Sequence, residues 1–400
     1  MKIGMMADAY KPYISGVTNY IAINKAALEK LGHEVYVFTF GNEDYKDEEP
    51  RVVRSSGLPV LDTGFYISLR YNSQAIRLVR SMDVVHVHHP FISGTLALRY
   101  CRPRSIPIIF TNHTRYDLYA QVYAPMVPDI ISETAIQAYL PSFCRSIDLV
   151  ISPSQGMKEV LGRFGVDAPV DVVPNGVDIR PFKNPSQPLT RQDLGYSPED
   201  VILVFVGRLG LEKNVNFLMR AFAGTTQAYE NARLMLIGDG PERGHLVDLA
   251  HQLGIENRVR FIGKLPYQDI PRYLDCADAF VTASVTEVHP LTVIEGMASG
   301  LPVLGIQSPG VGDTVEDGVT GLLAQGEDLP GFTAKMVRMV VDHDKRLQMG
   351  VQAGKEAEKY AIERTSEMML ERYRRVISQA KAKPTSWAGR IGRRLRGGMS

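Results

Sequence analysis

Cysteine is scarce in this chain: Cys101, Cys144 and Cys276 are odd in number, far apart, and outside any C-x-x-C or Cys/His spacing. Such a set excludes a disulfide framework and a thiolate metal site, and reads as core thiols in a reducing cytoplasm. Long apolar runs are missing too, none approaching the roughly 18 residues that a spanning helix requires. Met1-Lys2 leads straight into a strand, without the basic, apolar and small-residue layout of an export signal. A soluble or peripheral protein is therefore expected, in which the Asn112-His113-Thr114 triplet stays unglycosylated. Net charge is nearly absent at +1, which excludes a general nucleic-acid binder. The first strand-to-helix turn has no G-x-G-x-x-G, so a dinucleotide redox cofactor finds no support. No Asp-x-Asp pair at a strand end calls for a metal.

What the chain does have is 400 residues with 44% hydrophobic content, enough for two domains that each bury a core. Lys2-Ile3-Gly4-Met5-Met6-Ala7-Asp8 reads as a buried strand, and Ser15-Gly16-Val17 as the loop before a helix from Thr18 to about Gly32. His33 to Phe40 returns as a strand, and Asp83-Val84-Val85-His86-Val87-His88-His89 is another, whose alternation sends His86 and His88 to one face. With no carboxylate from His89 or the loop, these histidines read as satisfied polar groups at a sheet edge rather than a metal site. Ile108-Ile109-Phe110-Thr111 delivers Asn112-His113-Thr114-Arg115-Tyr116-Asp117-Leu118-Tyr119 at its carboxyl end. Open α/β sheets bind ligands there, which makes this the first half's strongest functional segment. The charge-poor stretch from Ala124 to Ser146 reads as interdomain core or a lipid-facing wall, with core the better fit.

The second half turns on Thr286-Glu287-Val288-His289-Pro290-Leu291-Thr292-Val293-Ile294-Glu295-Gly296, which closes the apolar run Ala279-Phe280-Val281-Thr282-Ala283. Pro290 suits a first helical turn, so a helix is expected to begin there and turn the N–H groups of Leu291, Thr292 and Val293 outward, where they attract phosphate. Upstream, Val201 to Val206 runs into Gly207-Arg208-Leu209-Gly210-Leu211-Glu212-Lys213, bringing an arginine and a lysine to the same sheet edge. Two cations and a helix start suit a pyrophosphate. Glu287 and Glu295 would repel phosphates, so they are better used as acceptors for the paired hydroxyls of sugars. Diphosphate plus two polyols describes a nucleotide-sugar.

At this point the chain resembles the retaining glycosyltransferases of family four. The resemblance rests on Glu287 and Glu295 with seven residues between them, on Gly207-Arg208 to Lys213, and on Glu295-Gly296-Met297-Ala298-Ser299-Gly300-Leu301-Pro302-Val303. It implies an α/β, GT-B type fold of two Rossmann-like domains facing a cleft, with a carboxyl-terminal helix crossing back to the first. Expected boundaries are 1–180 for an acceptor-binding domain and 201–362 for a nucleotide-sugar-binding domain, joined by a proline-broken linker at 181–200. A crossover helix at 363–380 and a basic tail at 381–400 follow.

By that resemblance Arg208 and Lys213 hold the donor pyrophosphate, Glu295 takes the ribose hydroxyls, and Glu287 with the backbone at Pro290, Leu291 and Thr292 grips the transferred sugar. Gly263, Lys264, Leu265 and Asp239 lie by the nucleotide base, although strand-end turns explain those segments almost as well. His113 sits beside the sugar. Gly16 and Val17 form the acceptor-side loop, where Ser15 replaces the first of a usual glycine pair and makes the backbone approach less close. His113-Thr114-x-Tyr116-x-x-Tyr119 is similar to bacterial enzymes that glucosylate diacylglycerol. The implied reaction moves glucose from UDP-glucose, with retention, to a membrane lipid such as diacylglycerol or its glycoside, and requires no cofactor. Alternatives are a GDP-mannose-dependent transfer to another lipid or glycan, a sugar-nucleotide epimerase or phosphorylase of similar architecture, and a silent nucleotide-sugar binder.

The chain ends in Lys381, Lys383, Arg390, Arg393, Arg394 and Arg396 with no acidic residue from Ala380 onward, and Trp387, Ile391 and Leu395 recur every four residues. A helix there would set cations beside an apolar face, suited to an anionic membrane on the inner side of the cell. Gly389, Gly392, Gly397 and Gly398 oppose that helix.

Overall fold

The computed structural model describes residues 1–60, 65–116, 118, 138–326 and 328–382. Valine, isoleucine and leucine fill its strands with little alternation, the mark of parallel sheets covered on both faces. The first sheet has seven strands in the order β3-β2-β1-β6-β7-β8-β9. They are β1 (Lys2–Met6), β2 (Glu34–Phe40), β3 (Val52–Ser55), β6 (Val84–Val87), β7 (Ile108–Thr111), β8 (Leu149–Ser152) and β9 (Val170–Val172). A separate antiparallel hairpin pairs β4 (Leu58–Val60) with β5 (Phe65–Ile67). The second sheet has six, ordered β12-β11-β10-β13-β14-β15. Those are β10 (Val201–Val206), β11 (Ala232–Ile237), β12 (Val259–Gly263), β13 (Ala279–Val281), β14 (Val303–Ile306) and β15 (Gly321–Ala324).

Each sheet reverses its winding at one place. In the first the order turns between β1 and β6, and in the second between β10 and β13. The loops that leave these neighbouring strands diverge to opposite faces and open a crevice at the carboxyl edge, where ligands of doubly wound sheets bind. Both expected Rossmann-like domains are thus present.

The helix Gly16–Lys30 begins two residues earlier than Thr18, because Ser15 is its cap. Ser15 Oγ accepts from Thr18 N–H at 3.2 Å while Thr18 Oγ1 accepts from Ser15 N–H at 2.8 Å. That reciprocal cap satisfies two helix-end donors. It gives Ser15 a local role that explains its place without any ligand.

The chain crosses between domains along two adjoining segments. Val177 N–H donates to Tyr360 O and Ile362 N–H donates to Val177 O, both at 2.9 Å. A Cβ on Gly176 would collide with Thr365 Oγ1, so the crossing needs glycine there. The expected linker at 181–200 is corrected by its side chains: Phe182, Leu194 and Tyr196 are buried with Val204, Met235 and Phe280 in the second domain's core. Its prolines mark an irregular path over that domain, while the apolar residues between them anchor it. The crossing itself lies at the Asn175–Asp178 turn.

The last described helix, Ile362–Ala382, is longer than expected at both ends. Ile362, Thr365, Ser366, Met369, Leu370, Tyr373 and Val376 form its buried stripe at helical spacing. Met369, Leu370, Tyr373 and Val376 pack among Ile3, Tyr20, Ile109 and Ile151 of the first domain. Burial of each aliphatic side chain contributes about 1.5–3 kcal/mol, and Asp171 adds ion pairs to Arg372 at 3.2 Å and Arg375 at 2.7 Å. Among the described residues no helix is long and apolar enough to cross a membrane. Cys101, Cys144 and Cys276 are buried and unpaired.

Candidate functional site

The loop after β10 is held from beneath by a glycine turn after β11. A Cβ on Gly238 would collide with Gly207 O, and one on Gly240 with Leu209 O. Leu209 N–H donates to Asp239 O and Glu242 N–H to Leu209 O, both at 3.0 Å. The exposed Asp239 carboxylate caps Gly240 N–H at 2.8 Å, so its visible work is in the turn.

This support fixes the backbone on either side of Arg208 and Lys213. Arg208 Nη1 lies 3.4 Å from Glu212 Oε1, and Arg208's side chain is 55% exposed. The Glu212 side chain is only 5% exposed, so the pair joins an open guanidinium to a buried carboxylate. Lys213 Nζ lies 2.5 Å from Glu287 Oε1 with both side chains mostly buried. Ser284 Oγ and Thr286 Oγ1 donate to Glu212 O at 3.3 and 3.2 Å, tying the loop after β13 to the one after β10.

Pro290 stands one place before its expected position. It is the N-cap of the helix Leu291–Ala298, with ψ at 108°, and Ile294 N–H makes a first turn bond to Pro290 O at 3.2 Å. No side chain caps this end. Helix geometry therefore turns the N–H groups of Leu291, Thr292 and Val293 out of the helix start without intrahelical acceptors. The preceding loop leans on the first domain: Val288 is buried in a cluster with Val87, Phe110 and Phe143, and Asn175 Nδ2 donates to His289 O at 3.1 Å. Burial lowers the His289 imidazole to about 3, and its buried Nδ1 has no hydrogen-bond partner among the described residues.

Glu295 is 3% exposed and accepts from Tyr267 O–H at 2.9 Å through Oε1. Burial raises its carboxyl to about 7, against the opposing pull of the Tyr267 hydrogen bond. It is thus a buried carboxyl poised near neutrality. Tyr267 arrives on the loop after β12, which turns at Gly263 (φ +85°) and passes the exposed Lys264 and the partly buried Leu265. The sequence reading passed over Tyr267. Its only signal there was an aromatic two residues past a segment already assigned to the nucleotide.

On the first domain, β1 and β6 carry Asp8 and the histidines to their crevice. Asp8 Oδ1 accepts from Ser93 N–H at 2.7 Å and from Ser93 Oγ, while Asp8 N–H donates to His89 Nδ1 at 3.1 Å. A carboxylate therefore does neighbour the histidine run, from a strand distant in sequence, and it is committed to a helix start. His86 and His88 share a face as alternation demands, with ring centroids 4.2 Å apart. Among the described residues no group of histidine, cysteine and carboxylate side chains is arranged to hold a metal.

His113, partly exposed after β7, places Nε2 3.0 Å from His88 Nδ1 and packs its ring against the edge of Tyr20 at 4.7 Å. Burial, helped by His86 and His89, holds its imidazole well below the usual histidine range, so it is neutral. Gly16 has open space around it, Val17 packs on the first core, and Tyr116 meets the edge of Phe91 at 5.7 Å. Tyr119, most of the 124–146 stretch and nearly all of the basic tail lie outside the described residues.

The structure thus joins Lys213 to Glu287, Glu295 to Tyr267, and His113 to His88 and Tyr20. Among the described contacts none links Asp239 or Lys264 to these groups.

Residues 14–180 match the family described as Glycosyltransferase Family 4, and residues 186–356 the one described as Glycosyl transferases group 1. The chain is 30% identical over 343 residues to an alpha-monoglucosyldiacylglycerol synthase of Streptococcus pneumoniae, a stretch covering 83% of this chain and 77% of that protein. It is 29% identical to the enzyme of that name from Acholeplasma laidlawii, over 80% of this chain and 84% of the other. In fold it is similar to Anabaena HepE in complex with UDP and glucose, with TM-score 0.74 and 19% identity over 93% of this chain and 99% of that one. Sucrose-phosphate synthase from Thermosynechococcus elongatus gives TM-score 0.77 at 19% identity, over 94% and 99%.

Proposed function

This chain belongs to the GT-B glycosyltransferases, its first domain of family 4 and its second of group 1, and from that premise we propose that it glucosylates diacylglycerol or a closely related membrane lipid. The donor is UDP-glucose and configuration is retained. The observation that carries this reading is the 30% identity, along 83% of the chain, to a protein named for making alpha-monoglucosyldiacylglycerol.

The site's chemistry fits the reaction. The bond from the anomeric carbon to the diphosphate breaks and a bond from that carbon to the lipid hydroxyl forms on the same face. The hydroxyl proton passes to the departing phosphate oxygen, and UDP carries away the negative charge. Arg208, Lys213 and the N–H groups that open the helix Leu291–Ala298 supply positive potential where that charge grows. Glu295 accepts from the ribose hydroxyls deep in the second domain, and Glu287, oriented by Lys213, accepts from the hexose. His113, being neutral, hydrogen-bonds the hexose rather than titrating.

A lipid acceptor is also supported by the outer surface of the first domain. Leu58, Ile67 and Leu69 are 75%, 52% and 84% exposed. From residue 65 to 105 the chain carries Arg70, Arg77, Arg80, Arg99, Arg102 and Arg104 against the single acidic Asp83, and those arginines are exposed. Arg99 Nη1 donates to Leu69 O at 3.2 Å, which places cation and apolar residue side by side. Sequence reasoning had placed membrane contact in the basic tail and weighed a lipid-facing wall at 124–146, but not these arginines, which are spread from Arg70 to Arg104.

The test is purified protein with radiolabelled UDP-glucose and diacylglycerol in anionic vesicles. The expected result is an α-glucosyl lipid, formed only when both substrates are present. Preference for GDP-mannose, or a change of the donor sugar without lipid, would overturn the proposal.

A further inference from the structure

Three histidines of the first domain lie in a row, and their hydrogen bonding is uneven. His86 is satisfied at both ring nitrogens, Nδ1 at 2.7 Å from Tyr373 Oη and Nε2 at 2.7 Å from Thr111 Oγ1. His88 is fully buried, has Nδ1 3.0 Å from His113 Nε2, and its buried Nε2 has no hydrogen-bond partner among the described residues. His113 has no hydrogen bond at Nδ1 among the described residues and sits at the partly exposed end of the row.

We propose that His88 is a positioning residue for His113: it donates from Nδ1–H to His113 Nε2 and so holds His113 as the tautomer whose Nδ1–H faces the reacting hexose. The assignment of the hexose as what His113 faces rests on the function proposed above; the tautomer does not.

Two neutral rings sharing one N···N contact can place only one proton between them. If His113 gave the proton, His88 would need its own on Nε2, a buried N–H with no acceptor. If His88 gives it, the buried Nε2 is a bare lone pair. Buried orphan N–H groups are rarer in folded proteins than under-satisfied acceptors, which decides for His88 as donor. Both rings are neutral because burial and their neighbouring histidines hold His88 and His113 well below the usual histidine range.

The geometry also prevents the rings from turning. Tyr20 meets His113 edge-on at 4.7 Å and His88 at 5.7 Å, and His86 lies against His88 at 4.2 Å between centroids. His86 in turn is clamped by Tyr373, which comes from the helix that returns from the second domain. A neutral imidazole whose second nitrogen is fixed in this way has a defined donor on the other.

Nitrogen-15 spectra of the histidine-labelled full chain test the tautomer directly. The expected result is a protonated Nδ1 and bare Nε2 on both His88 and His113 at neutral pH. In His88→Phe the His113 ring should become a mixture of tautomers, and kcat should fall about tenfold to a hundredfold, the scale known for losing the partner that orients a metal-ligating imidazole. KM for the nucleotide-sugar should move less than twofold, since the nucleotide is held by the second domain. His88→Asn, which retains an N–H donor near the original Nδ1, should recover most of the lost rate. A wild-type His113 protonated at Nε2 would overturn the proposal, as would a folded His88→Phe turning over at the wild-type rate. If the wild type transfers no sugar to any acceptor, the function proposed above fails, while the spectra still decide the tautomer.

Discussion

Lys213 Nζ and Glu287 Oε1 stand 2.5 Å apart although their loops leave different strands, β10 and β13. The pair sits where the sheet's winding reverses, so the group expected to meet phosphate and the group expected to meet the hexose are neighbours. Each fixes the other's position.

Lys213→Ala should lower kcat about a hundredfold or more, the scale for removing one preorganised group that stabilises developing charge. Glu287→Gln should also slow transfer, and the double variant should fall short of the product of the two effects by about 0.5–3 kcal/mol, as contacting residues do. Steady-state kinetics on the three variants measure this. Effects that simply multiply would mean that the pair does not act as a unit.

Glu295 links stability to pH. Its carboxyl is raised from 4.5 to about 7 by burial, so between those values the folded protein binds more protons than the unfolded chain. Stability from this group is therefore largest below pH 4.5 and is lost as pH rises to about 7, a decline on the order of 3 kcal/mol. Denaturant titrations of wild type and Glu295→Gln across that window should show the decline only in wild type, over and above changes common to both proteins.

The same carboxyl should tie donor binding to pH. The ionised form accepts sugar hydroxyls, so affinity for the nucleotide-sugar should strengthen as pH rises through about 7. Glu295→Gln should bind about 1.5–3 kcal/mol more weakly and lose that dependence. Tyr267→Phe removes a hydrogen bond that favours the carboxylate, and should shift the midpoint to higher pH. Calorimetric titration with the donor checks all three proteins.

Membrane contact should divide between two regions. Removal of residues 383–400 should weaken binding to anionic vesicles at low salt, with each basic residue contributing on the order of 1 kcal/mol. Replacing Leu58, Ile67 and Leu69 with serine should weaken it at high salt as well, because apolar insertion is not screened. UDP-glucose binding should survive both changes. Vesicle sedimentation at two salt concentrations separates the contributions, and full retention by the serine variant would remove that surface from the membrane.

Gly176→Ala should destabilise the junction between domains. The added Cβ meets Thr365 Oγ1 and the Cδ1 and Cα atoms of Ile362, beside the backbone bonds that pair Val177 with Tyr360 and Ile362. A melting temperature lowered by several degrees is expected, with Thr365→Ala partly rescuing it.

Much of this protein is written locally. Runs such as Val201–Val206 read as strands covered on both faces, and the apolar stripe of Ile362–Ala382 is periodic enough to announce an amphipathic helix, whose return to the first domain was implied only by the resemblance. That Arg208, Lys213 and Glu287 would share one sheet edge was legible because each follows a strand at short range, and every strand of a parallel sheet delivers its loop to the same edge. The segment at 181–200 misled for the opposite reason. Its prolines act on the backbone within a few residues, whereas the burial of Phe182, Leu194 and Tyr196 depends on a core assembled from strands as distant as the one that carries Leu323. Only the tertiary structure joined Tyr267 to Glu295, His88 to His113 and Tyr373 to His86, across 28, 25 and 287 residues. Sequence periodicity says which face a side chain takes; which partner waits there, and which proton that partner holds, is decided by packing.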